Sequence, residues 1–307
     1  MIKNREAILA ITILTVLILG IMYYFHHPST SNSKGKLSIT VTILPQSEFV
    51  EKVGGDQIST IVLVPPGANP HTYEPTPSQM EQIAQADMYA KVGTPIEFEL
   101  TWMEKIIETN PNMLIIDCSQ GIDLIDMISP NHEYPDDTLE HIEESLGKDP
   151  HIWLSPKNAI TMVENIYQGI ITIDPNNKEY YSKNKQTYIQ ELKDIDTELN
   201  DTFSDLPTKK FLVYHPSWGY LAHDYGLEQI PIEKEGKEPT PEGITHLIDQ
   251  AKRDGITVIF ATPEFETRTA QTVAEEIGGS VVLISPLEKE YITNLRQISI
   301  EIAKSLR

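Results

Sequence analysis

Along the chain, short apolar runs rich in Ile and Val alternate with longer stretches whose apolar residues recur every three or four positions. The runs have the character of strands buried on both faces, and the longer stretches that of covering helices. Their alternation predicts an α/β fold built on parallel sheets. Strands are expected at about residues 37–44, 58–64, 87–92 and 112–117, and again at 209–214, 228–233, 256–261 and 280–284. The two sets define two lobes of similar size.

Between them lies a long helical region. Its second part starts at Asp174-Pro175, read as an Asp N-cap followed by proline at the first helical position, and Pro207 closes it. Tyr188, Leu192, Ile195, Leu199 and Phe203 form one apolar stripe, too short for a coiled-coil dimer seam. A helix of about 30 residues extends about 45 Å, so it is expected to act as a stiff backbone to both lobes and not as a hinge.

Two segments break the rhythm. Residues 129–149, with His132, His141 and many acids, are expected to form an exposed and partly mobile loop. Residues 7–25 carry no charge, follow Lys3 and Arg5, and are about as long as the roughly 20 residues that span a bilayer. No small-x-small cleavage site follows, so an uncleaved signal anchor is the preferred reading, with the N-terminus in the cytoplasm and the rest outside. Residues 29–36 read as a flexible tether. The expected organisation is therefore anchor and tether at 1–36, an N-terminal lobe at 37–155, a helical linker at 156–207 and a C-terminal lobe at 208–307.

A formal charge of -21 argues against nucleic acid as a partner, since phosphate binding needs clustered Lys and Arg. The one cysteine, Cys118, rules out both an intramolecular disulfide and a cysteine-rich metal site, and it reads as a small buried residue.

The candidate chemistry lies in three histidines: His71 in Asn69-Pro70-His71-Thr72-Tyr73, His151 in Asp149-Pro150-His151-Ile152-Trp153, and His215 in Tyr214-His215-Pro216-Ser217-Trp218. Each sits where an apolar segment gives way to a turn, with proline beside it and an aromatic two or three residues on. In open parallel sheets, ligands bind beyond the carboxyl ends of the strands, where His71 and His215 fall. His151 lies in the turn before a helix starting near Ser155-Pro156. A lone histidine of this kind is usually a solvated loop residue, but three at equivalent positions point to a site. Three imidazoles on one cleft favour zinc over calcium or magnesium, which prefer oxygen. The adjoining prolines restrict the backbone that carries the rings. His223 and His246 fall within expected helices and read as surface or packing residues.

No glycine-rich phosphate loop and no His-Glu-x-x-His occurs. Ser217 beside His215 raises a hydrolase reading, but it has no Gly-x-Ser-x-Gly setting.

The run Pro65 to Pro77, the run Asp149 to Pro156, and Tyr214-His215 with Trp218-Gly219-Tyr220 and Tyr225-Gly226-Leu227 closely resemble the zinc/manganese solute-binding proteins of ABC importers. The likeness covers nearly all of residues 37–307, in order. It implies two Rossmann-like lobes joined by a rigid helix, one divalent ion between them, and delivery to a membrane permease with a cytoplasmic ATPase. It maps the first two ligands onto His71 and His151. The third is usually His in zinc receptors and Glu in manganese receptors; here it is His215, which favours Zn(II) over Mn(II). A manganese receptor or adhesin-like protein of the same fold is the alternative. The acidic segment with His132 and His141 corresponds to the metal-collecting loop of zinc receptors, though far poorer in histidine.

The chain departs from the family at one ligand. Where the family has Asp in Leu-Asp-Pro-Leu, this sequence reads Leu283-Ile284-Ser285-Pro286-Leu287. That leaves Ser285, water or Glu264 for the fourth position, and implies a site facing the full charge of the ion. A water-bearing centre with three His ligands is also the pattern of a zinc enzyme, ranked second because no general base is identified. Glu74 and Glu264 are candidates to hydrogen-bond a ligand ring, and Trp153, Trp218 and Tyr220 to build the cleft walls.

Overall fold

The computed structural model describes residues 35–127, 147–233, 238–265 and 267–307. The apolar segment 7–25, most of the tether, and most of the acidic segment, including His132 and His141, lie outside the described residues.

The first lobe runs β1 (Leu37–Val41), α1 (Leu44–Gly54), β2 (Ile58–Val62), α2 (Pro77–Ile83), β3 (Met88–Lys91), α3 (Glu97–Thr109) and β4 (Leu114–Asp117). Helices α4 (Pro156–Ile173) and α5 (Lys178–Ser204) follow. The second lobe runs β5 (Lys210–Val213), α6 (Gly219–Tyr225), β6 (Glu228–Pro231), α7 (Pro241–Asp254), β7 (Val258–Ala261), α8 (Arg268–Ile277), β8 (Ser280–Leu283) and α9 (Tyr291–Ser305). All the expected strands form. They pair in parallel as two four-stranded sheets, β2-β1-β3-β4 and β6-β5-β7-β8. In each sheet the strand order reverses beside its first strand, and the carboxyl ends open into a crevice there.

Local signals set the helix ends. Thr76 accepts from Gln79 N while the Gln79 side chain accepts from Thr76 N, a capping box that opens α2 at Pro77. Ser155 caps α4 by accepting from Asn158 N, again with proline at the first helical position.

The long helix departs from expectation at its start. Pro175–Asn177 form a short 3-10 turn, and α5 begins at Lys178. Asp174 spends its carboxylate on side chains, accepting from Asn177 Nδ2 and the Tyr181 hydroxyl, both at 2.7 Å. The expected stripe is otherwise in place: Tyr188, Leu192, Ile195, Leu199 and Phe203 are all buried. They belong to one continuous core with Ile39 and Phe49 of the first lobe and Phe211, Leu295 and Ile302 of the second. Smaller clusters fill the outer layers of each lobe. Because α5 packs on α1, α4 and α9, the lobes share one body of buried side chains.

Polar ties reinforce that seam. Glu48 of α1 accepts from the Tyr188 hydroxyl at 2.8 Å and from Tyr291 N at 2.7 Å, and the Tyr291 hydroxyl donates to the Trp153 carbonyl at 2.7 Å. Burial raises the Glu48 carboxyl pKa even though both hydrogen bonds act to lower it.

Candidate metal centre

The rings of His71, His151 and His215 meet at the seam. Their centroids lie 6.2 Å apart for His71 and His151, 5.0 Å for His71 and His215, and 5.3 Å for His151 and His215. One nitrogen from each falls within 4.8 Å of the others, and no other group of three or more His, Cys, Asp or Glu among the described residues is so placed. Nitrogens on a common tetrahedral zinc at about 2.05 Å stand roughly 3.4 Å apart, so modest closure brings these rings to ligand spacing. The pocket between them has room for about one water-sized sphere. Pro70, Trp153, Ser217, Glu264, Phe265 and Leu287 also line it.

The backbone at two of these histidines is built the same way. Asn69 Oδ1 accepts from His71 N, and Asp149 Oδ1 accepts from His151 N, both at 2.9 Å. Each is an Asx turn across an intervening proline, so side chain and ring together fix where the imidazole leaves the chain. His215 follows β5, with Ser217 N closing a tight turn on its carbonyl at 2.8 Å.

A carboxylate stands behind every ring. His71 Nδ1 donates to Glu97 Oε2 at 2.5 Å, His151 Nδ1 to Asp149 Oδ1 at 2.8 Å, and His215 Nδ1 to Glu233 Oε1 at 3.2 Å. With Nδ1 committed as donor, Nε2 is the lone-pair nitrogen in all three. His215 Nε2 is buried and has no partner among the described residues. Burial, reinforced by the neighbouring His151 and His71, lowers the His215 pKa to about 4 against the pull of Glu233, so the ring is neutral at pH 7. Burial is the largest influence on the Glu97 carboxyl and raises its pKa, but the bond to His71, the attraction of His71 and His151, and a backbone hydrogen bond together outweigh it and the net shift is downward.

These pairings correct two expectations. Glu74 is exposed and Glu264 bonds Ser285; the groups that orient the rings are Glu97, Asp149 and Glu233. The site also carries more negative charge than the loss of the family aspartate suggested, since three carboxylates stand behind the imidazoles. Of the three, only Asp149 carried a readable signal, because it shares the Asx-Pro-His spacing with Asn69. Glu97 and Glu233 are brought in by α3 and by the end of β6, and nothing local marks them.

Of the three aromatics expected to build the cleft walls, only Trp153 does so; Trp218 and Tyr220 are buried outside the pocket lining. Trp153 lines the pocket and donates Nε1–H to the Pro286 carbonyl at 2.8 Å. Tyr220 stands behind it, its hydroxyl donating to the Asp149 carbonyl at 3.2 Å, and Trp218 is buried outside the pocket lining. Phe265, not foreseen, stacks on His215 with centroids 4.4 Å apart. Ser285 is buried and its hydroxyl donates to Glu264 Oε1 at 2.6 Å. His223 is exposed beside Asp224, and His246 is exposed on α7. Cys118 is buried in the first lobe as expected.

The sequence profile described as "Zinc-uptake complex component A periplasmic" matches residues 39–305. The chain belongs to this family. The high-affinity zinc uptake system protein ZnuA of Bacillus subtilis (strain 168) is 34% identical over 264 residues, covering 84% of this chain and 81% of that protein. A crystal structure of ZnuA superposes with a TM-score of 0.81 at 38% identity, covering 89% of this chain and 100% of that one. A ZnuA deletion mutant solved with zinc bound superposes at 0.80, also at 38% identity, covering 89% and 98%. Family membership makes this chain the metal-capturing receptor of a zinc-uptake complex, in a family of solute-binding proteins and not of enzymes.

Proposed function

We propose that the protein captures Zn(II) outside the cytoplasm through Nε2 of His71, His151 and His215 and hands it to an ABC permease driven by a cytoplasmic ATPase. One observation carries the reading: three imidazole nitrogens within 4.8 Å of one another, each ring held from behind by a carboxylate. Such carboxylate-imidazole pairs fix the tautomer and raise ligand basicity. Three nitrogen donors suit borderline zinc better than hard manganese. The working division is a lobe at 37–155, a helical linker at 156–207 and a lobe at 208–307, with residues 7–25 as membrane anchor. The acidic segment 129–149 would collect ions for the cleft.

Calorimetric titration with Zn(II) and Mn(II) tests the reading. One zinc per chain, bound more tightly than manganese, is expected. His215→Ala should weaken zinc binding by at least about 100-fold, since it removes a ligand where loss of a ring's supporting partner alone costs about 10- to 100-fold. Unchanged zinc binding by that variant would overturn the ligand assignment.

A further inference from the structure

Among the described residues, Glu264 is the only carboxylate lining the pocket, and unlike Glu97, Asp149 and Glu233 it does not serve a histidine ring. It follows β7 at the carboxyl edge of the second sheet, while Ser285 follows β8 next to it. The two oxygens of Glu264 are differently placed. Oε1 accepts the Ser285 hydroxyl at 2.6 Å, whereas Oε2 is buried with no partner among the described residues. A buried carboxylate oxygen without a donor or cation is costly, and such a group in a native site calls for a partner.

Ser285 is not free to turn away. Its Oγ accepts from Leu287 N at 3.1 Å, which directs its hydroxyl proton to Glu264. Its carbonyl is held by Asn294 Nδ2 at 2.8 Å, and the next carbonyl, of Pro286, by Trp153 Nε1 at 2.8 Å. The serine therefore engages one oxygen of Glu264 from a pinned backbone, and the other is the one left without a donor.

From this we infer that Glu264 supplies the carboxylate facing the fourth position of the bound ion, and that Ser285 restricts it to a single available oxygen. The inference rests on the zinc site proposed above. A single oxygen beside three nitrogens totals four donors, the number zinc prefers; manganese favours octahedral sites rich in oxygen. Ser285 would thus act as a positioning residue that sets metal choice without touching the ion.

Calorimetry with Zn(II) and Mn(II) on the purified protein tests both parts, with thermal melts of the metal-free variants to confirm folding. Glu264→Gln preserves size and is expected to weaken zinc binding about 10- to 100-fold, the range for loss of a group supporting a metal site. Ser285→Ala releases the second oxygen and is expected to narrow the preference for zinc over manganese by about tenfold, while zinc stoichiometry stays at one. Wild-type zinc affinity in Glu264→Gln would overturn the carboxylate's role, and an unchanged zinc-to-manganese ratio in Ser285→Ala would overturn the serine's. His215→Ala separates the two levels. If it loses zinc while Glu264→Gln does not, the three-histidine site stands and this inference falls; if it keeps zinc, the site itself is wrong.

Discussion

At the scale of single residues, the centre depends on groups that touch no ion. Gly219 shows how far this reaches. A Cβ added there would stand 2.2 Å from Asp149 Oδ2, and Asp149 is fully buried with Oδ1 bonded to both the backbone and the ring of His151. Gly219→Ala is therefore expected to push Asp149 off its ring and weaken zinc binding about tenfold, at the low end of what loss of a supporting partner costs, although the glycine itself is no ligand. Calorimetry beside a melt of the metal-free protein checks this, and unchanged affinity would mean that the Asp149 contact is dispensable. The three histidines are legible because His215 follows a strand, His151 precedes a helix, His71 lies in the loop between β2 and α2, and each has proline next to it. Their carboxylates are not, because Glu97 lies 26 residues from its histidine and Glu233 lies 18 away. Such pairings depend on sheet order, which periodicity alone does not supply.

At the scale of elements, hydrophobic patterning located every strand to within a few residues. The inner strands β1, β3, β5 and β7 are largely buried, while the edge strands β2, β4 and β8 are only partly so, and all are short, mostly apolar runs set off by turn residues. The start of α5 was misread for a specific reason. Asp-Pro is a strong N-cap signal in isolation, but Tyr181 and Asn177 compete for the Asp174 carboxylate once the chain has folded. Capping is a local contest, and here side chains three and seven residues further on take the carboxylate. The apolar stripe of α5 is more robust, since it follows from helix geometry. Leu192 sits fully buried in the core that joins the lobes, so Leu192→Ala should cost about 2–5 kcal/mol in denaturant unfolding. A loss below about 1 kcal/mol would argue that α5 does not hold the seam.

For the molecule as a whole, the three-histidine cluster spans both lobes: His71 and His151 come from the first half of the fold, and His215 from the second. An ion held by all three binds the folded chain and not the unfolded one. Free zinc at a thousand times its dissociation constant is then expected to stabilise the protein by about 4 kcal/mol. Melting scans with and without a chelator check this, and a melting temperature indifferent to zinc would exclude a site that bridges the lobes.

The uneven exposure of the three ligands has a consequence for traffic. His151 and His215 are backed by Asp149 and Glu233, both buried, and by Trp153, which the Glu48, Tyr188 and Tyr291 network locks from below. His71 is the exception, partly exposed and paired with a half-exposed Glu97. Among the described residues, the cleft is therefore more open on its His71 side than behind His151 or His215, so His71 is the ring that solvent reaches first.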